Sequence, residues 1–349
     1  MEERLKKLIS FKTVSEDKEE NKRALKWIKS QMNGLSTKET TYDGYPVLIA
    51  GSMSPKLCLQ AHIDVVPGKD KLFNPTVKDG KLIGRGAYDM KFAIACYLEI
   101  LETIKERDVG ILITADEELG GFNGVGAALK DGYDPEYCFL PDGGDGWRFD
   151  EKVKGVLHLN ILADGDPGHA SRPWEGDSAL LKLINFLKEL ESHFSNKAYS
   201  EETFDSTLNI GKVEGGKATN QIAASAKAQI DIRFPDREEE KKISNLLKRM
   251  EREYEGVQVK EVVSGSSFHC DLEHRFCKAF TTEARKLGKK VSSQLAHGSS
   301  DARFFAQKEI PTMMIKPNGG GSHSSEEWID LKDLKDYCSV LKSFIKKVT

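Results

Sequence analysis

The chain has no run approaching the ~18 or more consecutive apolar residues that a membrane span requires, and its mean hydropathy is −0.47. It has no internal repeat, no low-complexity stretch and no long basic block. Lys and Arg number 52 against 55 Asp and Glu, a net charge of −3 with the two signs interspersed, so neither nucleic acid nor a membrane is expected as a partner. The opening segment, MEERLKKLISFKTVSEDKEENKRALKWIKS, is charged throughout and lacks the roughly 7–15-residue apolar core of a signal peptide, which makes the cytoplasm the expected location. The six cysteines (Cys58, Cys96, Cys138, Cys270, Cys277, Cys338) show no CxxC and no zinc-ribbon spacing, and read as free, mostly buried thiols.

What is present is an ordinary globular composition, 39% hydrophobic over 349 residues. At roughly 100–200 residues per domain this length predicts two domains, or one large domain with an insertion. The first 150 residues alternate short apolar runs (46–50, 56–61, 110–114, 137–140) with helical patterns (90–106, 124–130), the texture of an α/β domain on a mostly parallel sheet. One broken or two successive amphipathic helices are expected before it, over 2–10 and 21–32. From about Val153 the order becomes strand (155–163), helix (178–194), strand (207–213), strand (225–234), helix (237–254), strand (257–263), a ferredoxin-like βαββαβ arrangement. The α/β texture then resumes with a helix (272–287), a strand (311–315) and a last helix (331–346). The expectation is therefore an α/β, mostly parallel-sheet domain over 1–152 and 268–349, interrupted by a smaller ferredoxin-like α+β domain over 153–267.

In open α/β sheets functional residues gather beyond the carboxyl ends of the strands. Here those ends carry acids and histidines: His62 and Asp64 in AHIDVVP, Asp116, Glu117 and Glu118 in ADEELGG, Asp142 in PDGGD, and His323 in NGGGSHSSEEW. Asp89, in GRGAYDMK, stands just before the 90–106 helix. Singly each has a plainer reading: Asp89 as a helix N-cap, His62 as a hydrogen-bonded core histidine, the DEE run as a solvated turn. Together, two histidines and three or four carboxylates at one sheet edge would repel unless cations held them. Two His with three carboxylates suit a pair of divalent ions such as Zn²⁺ with one carboxylate bridging, and such pairs, about 3.5–4 Å apart, activate water and polarise carbonyls.

The set HxD, GRGxxDMK, DEExGG, PD and GSHSSEE resembles the M20 family of co-catalytic zinc peptidases and amidohydrolases, which includes glutamate carboxypeptidase, succinyl-diaminopimelate desuccinylase, acetylornithine deacetylase, aminoacylase and several di- and tripeptidases. Motif order, spacing and the place of the insertion agree over nearly the whole chain. The resemblance implies two Zn²⁺ per chain, with Co²⁺ or Mn²⁺ as substitutes. Asp89 would bridge them, His62 and Asp142 would complete one site, and Glu118 and His323 the other. Glu117 would be the general base, relaying a proton from a water held between the ions to the leaving nitrogen, and the Asp64 carboxylate would accept the second N–H of His62. One departure is Phe92, where the family often has a small residue after the DMK lysine.

The inserted domain would be a lid and dimerisation domain. His169, in PGHASRPWEGDSA, would reach the partner's active site and stabilise an oxyanion; its plainer reading is an exposed loop histidine. GGKATN and DIRF nominate Asn220 and Arg233 for a substrate carboxylate, with a strand salt bridge as the other reading of Arg233. GSSDARFF resembles a pocket-shaping loop in which the main chain from Gly298 and the Ser300 hydroxyl face substrate, Asp301 and Arg303 serving there or only bracing the loop. The remaining histidines match no ligand position. The expected activity is metal-dependent hydrolysis of an amide in a small, carboxylate-bearing substrate, of the N-acyl amino acid deacylase, desuccinylase or acetylornithine deacetylase type. A carboxypeptidase or dipeptidase is the alternative, then a non-catalytic binding protein on the same fold.

Overall fold

The computed structural model describes residues 1–104, 107–194, 200 and 203–349. They form two compact units, one of Met1–Glu151, His269–Ala296 and Ser300–Thr349, the other of Lys152–Phe268 and His297–Ser299.

The first unit is α/β. Its six-stranded sheet has the order Thr37–Tyr42, Tyr45–Ala50, Val109–Thr114, Leu57–His62, Cys138–Phe139, Thr312–Met313. The first two strands form an antiparallel hairpin that joins Val109–Thr114 antiparallel, and the other three pairings are parallel. Leu57–His62 and Val109–Thr114 are buried at every position, which accounts for their unbroken apolar texture, since parallel strands are covered on both faces. The helix Lys91–Glu99 buries every residue but its last, so KFAIACYLE is apolar all round instead of striped. Phe92 lies within it, its ring 6.2 Å from Tyr88 and 6.0 Å from Tyr337.

Several boundaries differ from the sequence reading. The single helix expected over 90–106 ends at Glu99 and a short second helix follows, Leu101–Ile104; residues 105 and 106 lie outside the described residues. The strands expected over 137–140 and 311–315 are reduced to Cys138–Phe139 and Thr312–Met313. Beyond them the two chains bond as loops, as where Lys316 N–H donates to the Gly144 carbonyl at 2.9 Å. The strand Thr37–Tyr42 was not expected, because TKETTY is a largely exposed edge strand with no apolar alternation.

The second unit runs strand Gly155–Asp164, helix Ala179–Ser192, strands Thr207–Gly215 and Ser225–Phe234, helix Arg237–Glu253, strand Val257–Gly265. The strands form one antiparallel sheet in which Ser225–Phe234 and Gly155–Asp164 are central. Alternate residues of Ser225–Phe234 (Ala226, Ala228, Ile230, Ile232, Phe234) share a core with Leu183, Phe186 and Leu190 of one helix and Ile243, Leu247 and Met250 of the other. All six cysteines are buried and free. No helix among the described residues is long and apolar enough to cross a membrane.

Phe280, on the helix Arg275–Lys286, centres an aromatic cluster in the first unit, with ring centroids at 5.7 Å to Phe139 and Phe344, 6.0 Å to Tyr337, 6.2 Å to Phe149 and 6.3 Å to Trp147. These contacts hold the helices Arg275–Lys286 and Leu331–Val348 on the sheet. Phe280→Ala is expected to lower stability by about 3–5 kcal/mol, the range for a buried Phe truncation, read in urea unfolding; a loss under about 1 kcal/mol would show that the cluster does not carry this packing.

Candidate metal centre

Parallel strands end on the same edge of their sheet, so the segments that follow them converge. His62 is the last residue of Leu57–His62 and faces Thr114, the last residue of Val109–Thr114, in register. Fully buried, its ring has Nδ1 3.0 Å from the main-chain oxygen of Asp64. That bond assigns the proton to Nδ1 and turns the Nε2 lone pair toward Asp89 Oδ1 (3.3 Å) and Asp142 Oδ1 (3.6 Å). The other oxygen of Asp89, Oδ2, lies 3.2 Å from His323 Nε2, which is also 3.2 Å from Glu118 Oε1. Two three-residue sets result, His62–Asp89–Asp142 and Asp89–Glu118–His323, each with its ligand atoms within 4.8 Å of one another and with Asp89 common to both.

The donor chemistry fits divalent cations. His62 Nε2 is a buried nitrogen without a hydrogen-bond partner, aimed at carboxylate oxygens that can only accept. The electrostatics agree. Burial opposes protonation of His62, yet Asp142, Asp64 and Asp89 carry its pKa well above the ordinary value. Asp89 and Glu118 push His323 up to about 10. Burial raises Asp142 to about 6, while Asp89 is held well below the usual range against its burial by the two imidazoles. The cluster draws positive charge to itself, and imidazole nitrogen with carboxylate oxygen is the donor set of Zn²⁺ and its neighbours.

Glu117 sits beside these ligands but belongs to neither set. Burial and the charges of Asp142, Asp301 and Glu118 push its carboxyl well above the ordinary range, with His62 acting the other way. Its position is set from below by Asp64, which is fully buried. The Asp64 carboxylate accepts the N–H of Glu117 (3.3 Å) and of Glu118 (3.2 Å) and the Ser15 hydroxyl (2.7 Å). This corrects the expected role of that carboxylate: it lies 3.5 Å from His62 Nδ1, and the nearer main-chain oxygen takes the imidazole N–H. The cap reading of Asp89 is also excluded, since Met90 occupies the N-cap of Lys91–Glu99 with no side-chain capping bond.

The 298–305 motif divides. Gly298 falls in the second unit, exposed, with open space where a Cβ would stand. Ser300 is buried in the first unit, its hydroxyl 3.6 Å from Met314 Sδ and accepting the Ala302 N–H at 3.3 Å. Arg303 braces the acidic turn, while the buried Asp301 carboxylate accepts the Gln60 amide at 3.4 Å. Arg303 donates to the Gly120 carbonyl and lies over the rings of Phe122 (5.4 Å) and Phe304 (4.8 Å). Gly121, at φ +65°, lets Asp301 approach so closely that a Cβ would sit 1.9 Å from its Oδ1.

His169, Asn220 and Arg233 belong to the second unit. His169 and Asn220 are exposed on adjoining segments, where Ala170 N–H donates to the Asn220 carbonyl at 3.0 Å and His169 Nδ1 lies 2.8 Å from Ser171 Oγ. Arg233 grips Asp231 in two places, Nε to Oδ1 at 2.7 Å and Nη2 to Oδ2 at 2.9 Å.

Residues the sequence reading did not single out are Lys316, Arg85 and Glu327. Lys316 is buried with Nζ 4.4 Å from the Tyr88 ring centre and 3.6 Å from Asp145 Oδ1; burial opposes its charge, and Asp89 and Asp142 restore it. A lysine after a strand carries no signal of this in sequence. Arg85 and Glu327 stand inside the quoted motifs, but their partners become visible only when the two loops meet.

The pattern of peptidase family M20/M25/M40 matches residues 58–347. The succinyl-diaminopimelate desuccinylase of Zymomonas mobilis is 29% identical over 317 residues, covering 86% of this chain and 84% of that protein; that of Gluconacetobacter diazotrophicus is 26% identical, covering 85% and 82%. Among solved structures, a tripeptidase from Staphylococcus aureus superposes with a TM-score of 0.79 at 23% identity over 99% of this chain and 97% of its own. A metallo-carboxypeptidase from Sulfolobus solfataricus gives 0.77 at 18% identity over 99% and 98%. The chain belongs to peptidase family M20/M25/M40, a family of metal-dependent hydrolases.

Proposed function

We propose that this protein is a dinuclear zinc amidohydrolase that removes an acyl group, of the succinyl or acetyl kind, from an amino acid bearing a free carboxylate. The observation that carries the reading is Asp89, whose two oxygens face two different histidines, each accompanied by a further carboxylate. Its family membership and the desuccinylases matched over most of their length support the acyl-transfer-to-water chemistry. His62, Asp89 and Asp142 would hold one ion, Asp89, Glu118 and His323 the other. Two such ions supply the positive charge that polarises an amide carbonyl and lets a water ionise near neutral pH.

The protein's own part is proton transfer and placement. Glu117 takes a proton from the attacking water and returns it to the nitrogen as the C–N bond breaks. A raised pKa suits both halves of that task, and the Asp64 carboxylate fixes the turn from which Glu117 reaches the reacting atoms. His169 is proposed as the oxyanion-stabilising histidine that acts on the partner's site, and Asn220, Arg233, Gly298 and Ser300 as substrate-binding residues. Exposure favours His169, Asn220 and Gly298 within that group, whereas Arg233 is already engaged by Asp231 and Ser300 faces Met314. We further propose a homodimer through the second unit, whose edge strand Thr207–Gly215 exposes Ile210 and Val213 and whose helix Ala179–Ser192 exposes Leu181 and Ile184. A reducing, cytoplasmic setting suits six free buried thiols.

Four measurements test this. Elemental analysis of zinc-replete protein should find two ions per chain, and fewer in Asp89→Ala; one or none in the unaltered protein would exclude the dinuclear centre. A hydrolysis screen of N-succinyl, N-acetyl and N-formyl amino acids beside dipeptides, with Zn²⁺, Co²⁺ and Mn²⁺, should favour an N-acyl amino acid. With that substrate Glu117→Gln should lower kcat about 10²–10⁴-fold, the range for a general base; near-normal turnover would remove Glu117 from the role. Mixing inactive Glu117→Ala and inactive His169→Ala chains should restore activity as subunits exchange, and absence of rescue in verified mixed dimers counts against a histidine acting across the dimer.

A further inference from the structure

Glu327 lies four residues after His323 and is 1% exposed. Its carboxylate accepts four hydrogen bonds, all from the short segment that ends in Asp89. Oε1 takes the N–H of Tyr88 (2.9 Å) and of Asp89 itself (3.0 Å). Oε2 takes the N–H of Gly86 (3.0 Å) and Nη1 of Arg85 (2.8 Å). The same Arg85 guanidinium, 3% exposed, donates from Nη2 to the main-chain oxygen of His323 at 3.2 Å. Gly86 makes the arrangement feasible, for it has φ +83° and a Cβ there would lie 2.7 Å from the Lys91 side chain. Strand pairing ties the same two regions, Trp328 to Ile83 and Ile329 to Leu82.

A carboxylate accepting four donors has its lone-pair directions occupied, so Glu327 is not a spare metal ligand. Its charge is matched by Arg85 and by three peptide dipoles, so it adds little net field at the cluster. What it controls is placement. Asp89 receives a bond at its own peptide N–H, and His323 is reached through Arg85 at its own carbonyl, so one ion pair sets the backbone of two of the three ligands of the second set. The first set is linked to Glu327 only through the shared Asp89, for His62 is held by Asp64; the second set is tied at both Asp89 and His323.

We propose that Glu327, acting with Arg85, is the positioning residue that fixes Asp89 relative to His323 and thereby makes the Asp89–Glu118–His323 set the half of the centre whose affinity depends more on this pair. The proposal rests on the dinuclear reading above. Buried groups that orient ligands are typically worth about 10–100-fold in metal affinity. Glu327→Gln preserves size but replaces one oxygen by an NH2 that must face two donors, so both contacts at that atom are lost. Arg85→Lys keeps a cation near Glu327 and forfeits the fork that also reaches His323.

The test is calorimetric titration of Co²⁺ into the metal-stripped full chain, with the Co²⁺ visible absorption spectrum recorded in parallel. The unaltered protein should bind two ions. Both variants should retain one at its normal affinity and bind the other about 10–100-fold more weakly, with altered absorption bands from that ion alone. Phe280→Ala, which weakens the fold away from the loops, should leave both affinities unchanged. Should Glu327→Gln fail to fold, Arg85→Lys decides. Normal affinities and spectrum for both ions in the folded variants overturn the proposal, as does equal weakening of both ions. If the unaltered protein binds a single ion, the dinuclear reading fails; the positioning role then stands or falls on whether that ion is weakened in the variants.

Discussion

Asp89 is asked to face two imidazoles at once. Its Oδ1 addresses His62 and its Oδ2 addresses His323, and these histidines come from segments some 260 residues apart in the chain. A carboxylate in that position cannot rotate to suit one partner without losing the other, so everything that carries the two imidazoles must be placed relative to it. The parallel sheet meets half of this requirement, because His62 ends a central strand whose neighbours release Glu117, Glu118 and Asp142 at the same edge. The loops at 84–89 and 318–328 meet the other half.

The site also solves a problem of charge. Carboxylates this close raise one another's pKa or attract cations, and the chain surrounds the reactive group with neutralised supports. Glu327 is paired with Arg85, and Asp64 is spent on peptide N–H groups and a hydroxyl. Asp89, Asp142 and Glu118 keep oxygens directed at histidine nitrogen. The division into acids that hold backbone and acids that face cations is made by what each carboxylate accepts, since all are chemically alike.

Much of this was legible in the chain. The strands 57–62 and 109–114 announce themselves as continuous apolar runs because both their faces are covered, and the acids just beyond them follow from sheet geometry. The ferredoxin-like order of the second unit was readable from alternation, which survives because its strands have one face on a shared core. The strand Thr37–Tyr42 was not readable, since an exposed edge strand has no apolar face to betray it. Likewise the role of Asp64 was half right: HxD predicts an acceptor for the imidazole N–H, yet the backbone oxygen is nearer than the carboxylate, and nothing in the dipeptide spacing distinguishes them.

Local sequence decides which residue types stand at strand ends and which segments are covered by helices, because burial and periodicity are properties of short windows. It was enough to determine the α/β and ferredoxin-like textures and to nominate His62, Asp89, Glu117, Glu118, Asp142 and His323. Only the tertiary structure decided that Arg303 supports the acidic turn, that Ser300 is turned toward Met314, and that Glu327 binds the backbone of the Asp89 loop. The first and last of these depend on hydrogen bonds between segments about 180 to 240 residues apart. The partner of a long-range donor is set by how two loops meet in space, and no window of sequence contains both.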